Sequence, residues 1–155
     1  MSNNSGIKII LNNKKAYFNY EIIEKIEAGL VLKGTEVKSI RDGKASITES
    51  FARPSKGELF IYQMDISHYK YSRMDGYDPK RPKKLLLKRG EINRLIGKIM
   101  EKGLTIIPLS LYFKNGFAKI ELGLARGKKL YDKRDSLRKK DTEKEIRRSM
   151  KRNKY

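Results

Sequence analysis

The stretch LTIIPLSLYFKNGFAKIELGLARG, residues 104–127, holds two apolar runs on either side of Lys114-Asn115-Gly116. Asn-Gly suits a tight β-turn because both central positions need positive φ, which these two residues reach at least cost. The stretch therefore predicts a hairpin with strands over residues 104–113 and 117–125. Pro108 has no backbone donor, which places its strand at an edge or at a bulge.

Working outward, Ile92, Leu95, Ile96, Ile99 and Met100 fall on one helical face, and Gly103 follows where such a helix stops. Leu85-Leu86-Leu87 precedes it. Residues 20–32 alternate, with Tyr20, Ile22, Ile26, Ala28, Leu30 and Leu32 on one side and Glu21, Lys25, Glu27 and Lys33 on the other, the pattern of a half-buried strand. Thr35 can cap a short helix carrying Val37 and Ile40, with Gly43 at its end. Residues 47–52 and 58–66 flank Pro54-Ser55-Lys56-Gly57, a hairpin connection. Residues 68–84, HYKYSRMDGYDPKRPKK, combine prolines, a glycine, three tyrosines and seven basic residues and read as an exposed loop and contact surface.

These elements give about six mostly antiparallel strands, a short early helix and one longer amphipathic helix. The expected fold is mainly β, an OB-like antiparallel β-barrel, with a two-layer α+β sheet as the alternative. The expected organisation is a flexible N-terminus over residues 1–15, the barrel over 16–125 and a basic tail over 126–155. The tail holds 14 Lys and Arg against five Asp and Glu. Apolar residues such as Leu130, Tyr131, Leu137, Ile146 and Met150 are too few there to repay the entropy of ordering. It is expected to be disordered alone and, with Asp135/Lys139 and Glu143/Arg147 at favourable i,i+4 spacing, helical on a partner.

The 155 residues suffice for one domain with a real core, and 37 Lys and Arg against 18 Asp and Glu leave a formal charge of +19. Such an excess points to a polyanion, and without an amphipathic anchor or acylation start the expected partner is nucleic acid rather than membrane. No cysteine occurs, which removes disulfides, thiolate metal sites and cysteine nucleophiles. The N-terminal residues lack the layout of a secretion signal, so a cytoplasmic protein is expected. His68 is the single histidine, so imidazole acid and base cannot be paired; Asp75 and Asp78 read as turn carboxylates. No catalytic residue, cofactor or metal is expected, and an RNA-binding protein is preferred over an enzyme. Tyr131, set between Lys128-Lys129 and Lys133-Arg134, can stack on an unpaired base while the cations meet phosphates, or fold back on the barrel edge. Tyr69, Tyr71 and Tyr77 divide evenly between RNA contact and packing. Glu27 is a surface charge, or an acceptor for a base or an arginine.

Five motifs occur together and in order: residues 27–30 (EAGL), 34–39 (GTEVKS), 78–87 (DPKRPKKLLL), 111–116 (LYFKNG) and 125–134, which begins ARGKK and ends DKR. In this combination the chain resembles the SmpB family of transfer-messenger RNA-binding proteins, over nearly its whole length. The resemblance implies a monomeric OB-type barrel that grips the tRNA-like domain of transfer-messenger RNA and, with elongation factor Tu and GTP, brings it to a stalled ribosome. It also implies that the tail enters the decoding centre and the empty messenger channel. Carried onto this sequence, the implied RNA-binding barrel residues are Glu27, Lys38, Arg41, Lys83, Lys84, Leu86 and Lys88. The decoding-site residues are Lys128, Lys129, Tyr131, Asp132, Lys133 and Arg134, and the distal tail contributes Met150 and Lys151. Tyr131 stands where many relatives have histidine, Lys88 where others have Asn or His, and Ser149 where an aliphatic residue is commoner. A ribosomal or rRNA-assembly protein remains the alternative, separated by whether the protein selects transfer-messenger RNA from total RNA.

Overall fold

The computed structural model describes residues 6–73 and 76–128, together with Lys144 and Arg147. The predicted hairpin is its spine: β8 (Thr105–Lys114) and β9 (Phe117–Gly127) pair antiparallel from Thr105↔Ala125 to Lys114↔Phe117. Asn115 and Gly116 take the positive φ values the turn demands, 52° and 85°. The ladder shifts register between Pro108 and Ser110, so the missing donor is absorbed by a bulge, as expected.

The other edge of β9 pairs with β2 (Tyr20–Leu30), which in turn meets β7 (Lys83–Leu86). From there the pairing runs through β5 (Glu58–Tyr62) to β4 (Phe51–Ser55) and back to β8 at Ala52↔Ile106. These six strands close a ring, the closure the barrel reading expected. A ring leaves no open sheet face for the two-layer alternative. Its interior holds Ile26, Leu30, Ile61, Leu85, Ile106, Leu111, Ile120, Leu122 and Leu124 among other buried residues. Helix α3 (Arg89–Lys102) adds Ile92 and Leu95 to the same core and ends at Gly103, whose φ is 61°.

Several local expectations shift. Ile7–Asn12, inside the segment expected to be flexible, forms strand β1 on the free edge of β8, and Lys14–Asn19 forms helix α1. The buried Asn13 is the reason the chain turns there: its side-chain oxygen accepts from the Ala16 N–H, and its Nδ2 donates to the Pro108 carbonyl at 2.9 Å. The early helix, α2 (Gly34–Arg41), is capped by Lys33 rather than Thr35, with the Glu36 carboxylate accepting from the Lys33 N–H at 2.7 Å. The strand expected over residues 58–66 breaks at Gln63, whose φ is 61°. Its remainder, β6 (Asp65–Ile66), leaves the ring to pair with β3 (Ala45–Ser46).

Gly123 lies where β9 crosses the buried Leu109, and a Cβ there would stand 3.0 Å from Leu109 Cδ1 and 3.2 Å from its Cγ. Both contacts are with a fully packed side chain, so Gly123→Ala is expected to lower stability by about 1–3 kcal/mol through overpacking, read as a lower urea midpoint at constant m.

Candidate nucleic-acid interface

Glu27 projects from the outer face of β2, where the strand's period of two sends Ala28 inward. It does not stand alone. The Tyr112 hydroxyl donates a short hydrogen bond to its Oε2, and Lys114 Nζ lies 3.4 Å from its Oε1. The Tyr112 bond, assisted by Lys114, holds the Glu27 carboxyl below its ordinary range against the opposing effect of burial. Burial and the neighbouring carboxylate push the Tyr112 phenol up. At neutral pH the pair is therefore phenol and carboxylate. An ionised carboxylate is purely an acceptor, with lone pairs beyond the two already engaged, and suits the amino or imino donors of a base edge.

Two residues along, Gly29 faces Leu86 of β7 and Lys119 of β9 across the ladders. A Cβ at Gly29 would lie 3.2 Å from Leu86 Cβ and 3.7 Å from Lys119 Nζ. The glycine thus lets an exposed leucine and a lysine settle against the sheet beside Glu27. The result is a face with an apolar floor, the fixed carboxylate of Glu27, the Glu121 carboxylate opposite it in the ladder and two ammonium groups. Sequence reading found Glu27 and Leu86 but missed Tyr112, Lys114, Lys119 and Gly29. The available signal was the alternation of 112, 114, 117, 119 and 121 out of phase with the apolar residues of their own strands.

The remaining barrel candidates are spread out. Lys84 shares the outward side of β7 with Leu86 and sits 3.9 Å from Glu58 Oε2. Lys88 is exposed at the N-cap of α3, its N–H donating to Glu91 Oε1 at 3.3 Å. Lys38 and Arg41 lie on α2 and engage rings elsewhere, Lys38 Nζ 5.5 Å from the Tyr69 centroid and Arg41 Cζ 5.4 Å from that of Phe113. Among the loop tyrosines, Tyr77 is held by its hydroxyl donating to the Ile66 carbonyl at 2.5 Å, while Tyr71 is exposed.

Lys83 corrects the expectation of a surface RNA contact, because its side chain is fully buried. Its Nζ donates to the Met64 carbonyl at 2.6 Å and the Pro79 carbonyl at 3.0 Å. Period-two alternation along β7 sends residue 83 inward with Leu85, a cost offset by the carbonyls and by nearby Glu36. Glu36, also fully buried, pairs with Arg81 at 2.5 Å. Together these groups tie both ends of the tyrosine loop to α2 and the ring. Burial pushes the Lys83 ammonium down to about 8, with Glu36 opposing.

At the far end, Lys128 continues the β9 direction onto α1, its N–H donating to the Asn19 carbonyl at 2.9 Å and its Nζ to that of Tyr17 at 3.2 Å. Lys129, Tyr131, Asp132, Lys133, Arg134, Met150 and Lys151 lie outside the described residues. Among the described residues, no group of three or more His, Cys, Asp or Glu side chains could hold a metal ion, and no helix is long and apolar enough to cross a membrane.

Comparison with known proteins gives a consistent picture. The family model described as SmpB protein matches residues 10–152. The SsrA-binding protein of Carboxydothermus hydrogenoformans is 56% identical over 143 residues, covering 92% of this chain and 96% of that protein. The SsrA-binding protein of Geobacter sulfurreducens is 55% identical over 141 residues, covering 91% and 92%. Among solved structures, a chain described under "tmRNA-SmpB: a journey to the center of the bacterial ribosome" matches with a TM-score of 0.65 and 49% identity, over 81% of this chain and 87% of that one.

The Lys83 site predicts a pH signature. Its folded value of about 8 lies below the ordinary 10.5, so the unfolded chain binds more protons between those values and the lysine's contribution to stability rises with pH across that window. Chemical unfolding between pH 7.5 and 10.5 is expected to show wild type gaining stability relative to Lys83→Met as pH rises. A constant difference would mean that Lys83 is not desolvated.

Proposed function

The chain belongs to the SmpB protein family, and from that premise we propose that it binds transfer-messenger RNA through its folded ring and serves trans-translation on stalled ribosomes. The observation that carries this reading is the Glu27–Gly29–Leu86 face. It offers a fixed acceptor and an apolar floor on a rigid sheet, with Lys119 alongside to neutralise phosphate. Fixed geometry is what selecting one folded RNA from others requires, since charge alone binds every RNA. The protein acts by binding rather than catalysis, in the cytoplasm, as a monomer on the RNA and ribosome.

The ring and the tail divide the work in this proposal. The ring, with Lys84 and Lys88 beside Leu86, selects the tRNA-like domain, which reaches the ribosome with elongation factor Tu and GTP. The tail enters the decoding centre and empty messenger channel, where Lys128, Lys129, Lys133 and Arg134 meet ribosomal phosphates and Tyr131 stacks on a base. Asp132 lies within this segment, and Met150 and Lys151 anchor further along the channel. Supporting this division is the distribution of charge: the tail carries a net +9 on 30 residues but few apolar groups, a composition suited to a polyanionic channel rather than to a core.

Two substitutions separate these roles. Leu86→Ala is expected to weaken the tRNA-like RNA more than an unrelated hairpin RNA, with melting unchanged because Leu86 is half exposed. Tyr131→Ala is expected to leave RNA binding intact and slow peptide tagging on stalled ribosomes by the equivalent of about 1–3 kcal/mol, with Tyr131→Phe close to wild type. Equal losses on both RNAs with Leu86→Ala, or full tagging with Tyr131→Ala, would defeat the corresponding half of the proposal.

A further inference from the structure

We infer that the β8–β9 hairpin carries a second nucleotide position, where the exposed Phe117 ring stacks on an unpaired base while Lys114 and Lys119 hold the flanking phosphates. This rests on the RNA-binding reading above and extends its face by named residues beyond Glu27 and Leu86.

Phe117 is 70% exposed and belongs to neither hydrophobic cluster. A ring so placed adds little to the core, yet the register gives it a specific setting. It lies directly opposite Lys114, and Lys119, opposite Tyr112, follows two residues later on the same face. Two residues along a strand span about 7 Å, a separation that neighbouring nucleotides of an unstacked strand can bridge. Lys119 is therefore the link: its Nζ reaches the Gly29 and Leu86 end of the face, and its own strand leads to Phe117. Ile7 and Ile9 of β1 border the position, facing Lys114 and Tyr112 across the β1–β8 ladder, and both are exposed.

The charge pattern favours RNA over a protein partner. Lysines are depleted from the buried centres of protein interfaces, whereas here Lys114 stands opposite Phe117 in the ladder and Lys119 two residues along the same strand. Lys114 already reaches Glu27, but an ammonium has three donors and its side chain is 42% exposed. The acids on this face are Glu27, engaged by Tyr112 and Lys114, and Glu121, opposite Glu27 in the ladder. Both lie on the far side of Lys119 from Phe117 along the strands. An aromatic face between cations, on a sheet that already offers an acceptor, is the chemistry of unpaired-base binding.

The test measures affinity of the full chain for a transcript of the tRNA-like domain and for an unrelated hairpin RNA, across ionic strength. Phe117→Ala is expected to weaken the tRNA-like transcript by roughly 5- to 100-fold at every salt concentration, and Phe117→Tyr to restore it. Lys119→Gln is expected to reduce the salt slope by about one. Melting temperatures should be unaffected by Phe117→Ala, since the ring is outside the core. If wild type prefers the tRNA-like transcript and Phe117→Ala binds it equally well, this inference alone is overturned. It is equally overturned if Phe117→Ala keeps RNA affinity but loses ribosome engagement, which would assign the ring to another partner. Wild type with no preference between the RNAs would overturn the functional reading and this inference with it.

Discussion

β9 is hydrogen-bonded on both edges, to β8 from Phe117 to Ala125 and to β2 from Lys119 to Gly127, and much of the molecule follows from that double pairing. Because successive side chains point to opposite faces, the register that buries Ile120, Leu122 and Leu124 also presents Phe117, Lys119 and Glu121 outside. A slip of one residue would put lysine in the core and leucine in solvent, so the hydrophobic effect that seals the ring fixes the outer face as well. The bulges between Pro108 and Ser110 and between Ile22 and Glu24 occur in the two strands flanking β9. Such bulges bend and twist the strands that carry them, as closure requires.

The chemistry of the outer face depends on polar groups that the ring holds in place. Glu27 is an acid in a protein of charge +19, and a free carboxylate there would collapse onto the nearest cation. Tyr112, two strands away in the sheet, supplies a donor from a mostly buried ring that holds it alongside the Lys114 ammonium. Beneath the loop, Lys83, Glu36 and Arg81 do comparable work by tying the Pro79 and Met64 carbonyls and the start of α2 to one another. Buried charges of this kind contribute little net stability when paired, yet breaking one pair is costly. Their effect is to allow the surface above them few alternatives.

Positive charge is distributed in two different ways within one short chain. On the ring, lysines sit at register positions beside an acceptor and apolar groups, so their charge is coupled to shape. In residues 126–155 the charge is dense and the apolar content low, a composition short of the apolar residues that a core needs. Lys128, anchored to the carbonyls of Asn19 and Tyr17, joins the end of β9 to helix α1.

The sequence by itself determined the elements whose cause is local. Asn115-Gly116 specified its turn because few residues accept two positive φ angles. Gly103 ended α3 for the same reason, and the spacing of Ile92, Leu95, Ile96 and Ile99 defined the inward side of that helix, although Met100, read onto the same face, is exposed. The family motifs and the charge pointed to RNA, and Glu27 and Leu86 were legible as candidates. Tertiary structure alone decided what depends on contacts between distant residues. Ile7–Asn12 becomes a strand because β8 has a free edge to receive it, and Lys33 replaces Thr35 as cap because Glu36 reaches back to it. Lys83 turns inward because the alternation of β7 places it there and two carbonyls meet it. Tyr112, Lys119 and Gly29 join Glu27 and Leu86 only once four strands, β2, β7, β8 and β9, are in register. No local pattern encodes that register, because it is set by which buried faces the closed ring must match.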